Sequence, residues 1–423
     1  MKKYRGFFPF LAILWLGILP PLGAGGRAAA GSEKAADKKI DMTLMIETDA
    51  VSLTREKVLP LVRARFPDIN INSRIRDDAQ VENIIKNSFV SGDRVDLVLF
   101  WPHQMRTFIN NGMALDLSPY LEADPAWRDS WIDGVLEDGC FDGRNYAAPF
   151  RTSYPLLQVN RELAARAGVE LKDQWTWEEF VDICGKIKRY TGAYPLGINS
   201  TWNSWLVRNG LMQIWDTGAE LEAFTRGEIP FTDPRVKKVF ENVKTLYDRE
   251  YLYPGKAALT VTNDQALAGF ARGKIAILAN VNGSASVTIS GIVAGAFETA
   301  VVSWPNMGKP GQDHLLGSND GYFIPSNSRY PGRAVEILKY LTSPEILRLY
   351  AEEGKIITFK NISPSNPDYP LFSRDAGKVH SAEIVNYSSE LNDYIIYNIP
   401  ANYILYGETV LKELEALRKT VKP

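Results

Sequence analysis

The chain has 423 residues, with 48 Lys and Arg against 50 Asp and Glu, a net charge of −2 with neutral His, and 45% apolar residues. That length exceeds one ordinary core and predicts two lobes, and the balanced charge leaves no basic surface for nucleic acid. With 10 Trp, 19 Tyr and 18 Phe but only 2 Cys, aromatic contacts outweigh disulfides and thiolate metal sites as a resource.

Lys2, Lys3 and Arg5 precede an apolar run over 7–22, and Ala28, Ala29 and Ala30 offer small residues for cleavage, so residues 1–30 read as a secretory signal peptide. Pro20 and Pro21 interrupt the run, which falls short of the roughly 20 residues of a spanning helix. The first cysteine is Cys140, so no lipid-bearing Cys follows the apolar run. The mature protein is therefore expected free in a periplasm. Loss of Lys2, Lys3, Arg5 and Arg27 takes its charge from −2 to −6, four cations fewer.

Residues 31–39 are small and charged and read as a tether. The fold is expected to begin at 40, with a strand over 42–46. A helix over 53–66 follows, ended by Pro67, and 69–75 alternates apolar and polar residues with period two, as a strand does. Residues 81–90 carry helical spacing, 91–96 form a polar turn, and 97–100 are a continuous apolar strand buried on both faces. Strand alternating with helix predicts an α/β fold. Between 143 and 180 a Tyr146 to Pro149 turn feeds an extended apolar run over 154–159. An Asn160 cap, a short helix stopped at Gly168 and a second helix entered through Thr176 come next. Further on, Asp233 caps a helix over 234–247, and Phe270, Gly273 and Lys274 precede a small apolar strand over 275–279.

That order resembles the family 1 extracellular solute-binding proteins of ABC importers. Their pattern at this place is a Tyr-x-x-Pro turn, a strand ending in Asn, a helix closing on Ala-Gly, then Thr-Trp-x-Glu-Phe. Here these are Tyr146 to Pro149, Asn160, Ala167 with Gly168, and Thr176 to Phe180. The turn at 91–96, the exit at Leu117, Ser118 and Pro119, and the Gly273-Lys274 strand also match. The resemblance implies a type II periplasmic-binding-protein-like fold, each lobe a mixed β-sheet flanked by helices, joined by a three-strand hinge. It implies lobe 1 over 40–152 and 304–343, lobe 2 over 153–303 and 344–423, and crossings near 151–155, 302–306 and 342–345. It places Cys140 and Cys184 in different lobes, where a bridge would block motion, so no disulfide is expected.

Catalytic motifs are absent: there is no GxSxG, HExxH or GxGxxG, and the loop over 269–274 lacks the Ser or Thr of a phosphate loop, since Ile275 stands there. The three histidines, His103, His314 and His380, are far apart, which leaves zinc or iron without a ligand set. Calcium held by oxygens stays open. No cofactor and no metal are expected.

What remains is aromatic side chains in polar neighbourhoods. A pyranose offers C–H faces to an indole and hydroxyls to planar amides and carboxylates, so this mixture suits a sugar cleft. The resemblance puts the ends of strands at that cleft, which nominates Glu47, Asp49, Arg76, Trp101, His103, Arg151 and Ser153. It also nominates Asn199, Trp202, Asn280, Asn282, Trp304, Asn319, Asp320 and Tyr403. The implied function is capture of a mono- or oligosaccharide and delivery to the permease subunits of an ABC transporter, by a monomer with no reaction of its own. A non-sugar solute such as a polyamine, a sensing subunit for a membrane kinase, and a carbohydrate-active enzyme remain alternatives.

Overall fold

A computed structural model of the chain describes residues 39–47, 53–77, 80–281, 285–363, 371, 375, 379–380, 384–385 and 387–421. The signal peptide and residues 31–38 of the tether lie outside them. In chain order the strands are β1 (Ile40–Glu47), β2 (Ile69–Ile75), β3 (Leu97–Phe100), the hairpin β4 (Cys140–Phe141) and β5 (Arg144–Asn145), and β6 (Ala148–Ser153). Then follow β7 (Leu156–Asn160), β8 (Gln174–Thr176), β9 (Tyr194–Gly197), β10 (Ile275–Asn280) and β11 (Thr299–Asn306). The last are β12 (Leu315–Leu316), β13 (Ser318–Phe323), β14 (Ile356–Ile357) and β15 (Val379–His380).

Two sheets dominate: a six-stranded one ordered β14-β6-β13-β3-β1-β2, and a five-stranded one ordered β8-β11-β7-β10-β9. Period-two alternation feeds two cores from the first sheet. Leu97 and Leu99 enter one core with Leu44 and Ile71, while Val98 and Phe100 enter the other with Met45 and Phe108. That is why the four residues of β3 are all buried. The second sheet packs on helices carrying Phe180, Leu211, Phe240 and Leu414.

The predicted caps form. Asn160 accepts from the Leu163 N–H, and Thr176 and Glu179 make a reciprocal capping box on the Trp177–Thr191 helix. Asp233 accepts from the Arg235 N–H.

The first crossing between the sheets is Tyr154 and Pro155, which link β6 directly to β7; the other two depart from expectation. The second lies beyond 302–306, because Ser303 still pairs with Leu156 inside the five-stranded sheet. It comes at Gly317, between β12 and β13. A Cβ on Gly317 would collide with Val379 Cγ1 and lie 3.1 Å from Ser153 O, so the crossing chains touch here and only glycine fits. The third crossing is not at 342–345. The Pro344–Glu352 helix buries Ile346, Leu347 and Tyr350 in the first sheet's core, and β14 is that sheet's edge strand, so residues 344–362 stay with it. Their apolar face, not the Ser343-Pro344 break, decides where they pack.

Among the described residues no helix is long and apolar enough to cross a membrane. Cys140 is exposed and Cys184 buried, each a free thiol; burial pushes the Cys184 thiol's pKa up.

Candidate functional site

β1, β2 and β3 run parallel, and β6 follows their direction through its antiparallel partner β13. Their C-terminal ends therefore share one edge, which carries Glu47, Arg76, Trp101, Arg151 and Ser153. β13 enters at that edge with Asn319 and Asp320, since Gly321 pairs with Phe100 and Asp320 with Arg151. In the second sheet Asn280 and Ser303 both pair with Leu156, and Gly197 is in register with Leu278. So Asn199, Asn280 and the start of β7 share an edge too. From Ser153 to Leu156 the chain spans at most about 10 Å, which keeps the two edges close at that link. Strand ends of this kind are where open α/β sheets bind ligands.

On the first edge Arg76 is 6% exposed; its Nη1 donates to Leu99 O at 3.2 Å, and its guanidinium lies 4.4 Å from the Trp101 ring centroid. The planar cation covers one indole face, an arrangement favoured by the ring quadrupole. His103 is half-buried in the single turn Pro102–Gln104 that follows. Glu47 is fully buried; one oxygen accepts from Arg55 Nε, and Oε1 has no hydrogen-bond partner among the described residues. Arg151 Nε donates to Asp320 Oδ2 at 2.7 Å. Burial works against the Arg151 charge, but Asp320 with Tyr350 and Tyr322 together outweigh it and raise the guanidinium's pKa. Asn319 Nδ2 donates to Asp138 Oδ2 at 2.8 Å, and Ser153 is half-buried.

On the second edge Asn199 Oδ1 accepts from the Trp202 N–H at 2.9 Å, and Nδ2 donates to Asn263 Oδ1 at 3.2 Å. This fixes the turn that holds Trp202, whose side chain is 38% exposed. Asn280 is 6% exposed at the end of β10. The wholly buried helix Ser204–Gln213 begins just after Trp202. Its Asn209 Oδ1 accepts from Leu316 N–H and its Gln213 Oε1 from Met307 N–H, both at 2.9 Å, so the segment leading to Gly317 is tied to this helix.

Two nominated residues are corrected. Trp304 is 1% exposed within β11 and belongs to the second core, and Tyr403 is 2% exposed with its ring 4.9 Å from that of Phe240. A polar neighbourhood in sequence did not keep either out of the core, because each lies on the inward face of its element. Asp49 and Asn282 lie outside the described residues. Sequence reasoning missed Arg208, whose guanidinium sits 5.0 Å from the Trp205 centroid, and Asp138 under Asn319. Four-residue spacing from Ser204 to Arg208 was the available signal for the first. Nothing local marked the second. No group of three His, Cys, Asp or Glu able to hold a metal occurs among the described residues.

The bacterial extracellular solute-binding protein model matches residues 52–346. An uncharacterized ABC transporter extracellular-binding protein of Pyrococcus horikoshii is 22% identical over 333 residues, covering 76% of this chain and 73% of that protein. Among solved structures, the ABC substrate-binding protein of Listeria monocytogenes in complex with cycloalternan superposes with a TM-score of 0.73 at 16% identity, over 90% of this chain and 98% of that one. The binding protein RafE in complex with raffinose gives a TM-score of 0.70 at 18% identity, over 91% and 100%. The fold is thus that of two-lobed type II periplasmic binding proteins, and the chain belongs to the family 1 bacterial extracellular solute-binding proteins of ABC transporters.

Proposed function

We propose that this protein captures a carbohydrate between its two sheet edges and delivers it to an ABC permease from the periplasm, without a reaction of its own. One observation carries this reading. The strand ends on either side of the Tyr154-Pro155 link carry a half-buried Trp101 with Asn319 and Asp320 on one sheet, and an exposed Trp202 with Asn199 and Asn280 on the other. Stacking surfaces interleaved with planar hydrogen-bonding groups suit a polyol with apolar ring faces. Relatives of the same fold bound to raffinose and cycloalternan support it.

The lobes would pivot at Tyr154-Pro155 and at Gly317, with 40–153 and 318–362 moving as one body. Ligand contacts made only when both edges meet would favour the closed form, and the permease would read that form.

The test is a thermal-shift screen of residues 31–423 against mono- and oligosaccharides, with spermidine, inorganic phosphate and metal ions alongside. A ligand that binds only the native state raises its melting temperature. A concentration-dependent rise with a saccharide series is the expected result. A rise with spermidine or a metal alone would overturn the substrate class.

A further inference from the structure

We propose that the second sheet's edge receives an anionic group, so that the captured solute is an acidic saccharide, a sugar bearing a carboxylate or a phosphate. This rests on the carbohydrate reading above and names its chemical class.

Two helices start at that edge. Ser204–Gln213 follows β9, and Ser286–Val293 follows its parallel neighbour β10. After a parallel strand the helix N-terminus lies at the strand's C-terminal end, so both partial positive charges sit on the side of Asn199 and Asn280. In the same lobe the helices begun by Asn160, Thr176, Thr217, Asp233 and Thr262 each have a side-chain cap. Asn203 and Ala285, which precede these two helices, provide none.

The first residue of each helix is a serine. Ser204 and Ser286 are both 0% exposed, and neither hydroxyl has a hydrogen-bond partner among the described residues. Trp205, next in line and 9% exposed, has a buried indole Nε1 that is also without a partner among the described residues. The Trp205 and Leu206 N–H groups are taken by the carbonyls of Trp202 and Asn203, but buried polar side-chain atoms are normally satisfied, so these three orphans at the starts of two helices point to a partner from outside the chain. The indole N–H can only donate, and both hydroxyls can donate. Their complement is a cluster of acceptor oxygens, and a carboxylate or phosphate provides the densest one. The Arg208 guanidinium, one turn along the first helix, adds positive charge beneath the Trp205 ring. Asp375, a buried carboxylate bonded to this edge, takes the Ser303 hydroxyl at 2.5 Å.

The opposite edge carries both signs, with Arg76 and the Arg151–Asp320 pair beside Glu47. Among the described residues Glu47 Oε1, at the end of β1, is a buried acceptor without a partner, and it suits a hydroxyl of the sugar body.

Isothermal titration calorimetry of residues 31–423 would compare galacturonate with galactose and glucose 6-phosphate with glucose. One acidic sugar is expected to bind at least ~10-fold more tightly than its neutral counterpart, and to weaken when KCl rises from about 0.05 M to about 0.5 M. Which pair shows the difference separates carboxylate from phosphate. Ser204→Ala and Trp205→Phe, checked for unchanged melting temperature, should each lower that affinity about 10-fold and leave the neutral sugar within about 2-fold. The salt series needs no variant and stands if either substitution unfolds the protein. Neutral sugars binding as tightly as acidic ones would overturn this inference and leave the carbohydrate reading. Binding by no saccharide at all would overturn both.

Discussion

Arg151 and Asp320 are direct cross-strand partners on β6 and β13, and their side chains meet at 2.7 Å with 20% of each exposed. The pair joins the strand that enters the first crossing to the strand that leaves the second. Removing one member leaves the other charge partly desolvated. Asp320→Asn is expected to cost about 1–3 kcal/mol in urea unfolding, and Arg151→Met with Asp320→Asn together should cost less than the sum of the two. Additivity within about 0.5 kcal/mol would refute the coupling.

Trp202 and Trp304 should behave in opposite ways. Trp202→Ala, at an exposed position, is expected to change stability by no more than about 0.5 kcal/mol while weakening saccharide binding about 10-fold or more. Trp304→Ala empties a site that is 99% buried, 1% of the side chain being accessible, and should cost about 3–5 kcal/mol. Paired calorimetry and denaturation would check both; a Trp202→Ala variant that binds normally would remove that ring from the site.

Gly317 should accept no side chain. Gly317→Ala puts a methyl against Val379 where the crossings touch, and is expected to lower stability or to shift the balance between open and closed forms. Small-angle scattering with and without saturating saccharide would see the second effect as a changed radius of gyration. A variant indistinguishable from the parent in melting temperature and in scattering would exclude the pivot.

Glu415 and Arg418 form a buried ion pair on the C-terminal helix, 9% and 10% exposed, and Glu415 Oε2 also accepts from the Phe231 N–H at 3.0 Å. Hydrogen bonding to Arg418 is the main cause that holds the Glu415 carboxyl below its ordinary value. The unfolded chain then binds the extra proton first. The pair's contribution is fully present above the unfolded value of about 4.3 and is lost as pH falls through the lower folded value. Melting temperature should fall over that acid range in the parent and less steeply in Glu415→Gln. Parallel curves would show that the pair does not contribute to acid stability. At pH 7, Arg418→Met should cost about 3–5 kcal/mol by stranding the carboxylate.

Local chemistry made much of this legible in advance. Asn160, Thr176 and Asp233 marked helix starts because a cap is settled within three residues, and residues 97–100 announced a strand buried on both faces by having no polar side at all. The same locality misled at Trp304 and Tyr403, where polar neighbours suggested a cleft and the pleat or helix phase turned the ring inward. It misled again at Ser343-Pro344, a break in sequence that is no break between lobes, because Ile346, Leu347 and Tyr350 complete the first core.

The sequence by itself determined the main elements, their order and the α/β class, which follow from caps, periodicity and turn residues close together along the chain, and its motifs over 143–180 carried the resemblance that pointed to the family. Only the tertiary structure decided which strand ends share an edge, where the chain crosses, and which buried donors are left without partners among the described residues. Those depend on pairings such as Arg151 with Asp320 and Leu316 with Asn209, between residues more than a hundred positions apart. Contacts that distant are set by register and by the filling of a shared core, and no short window of sequence contains them.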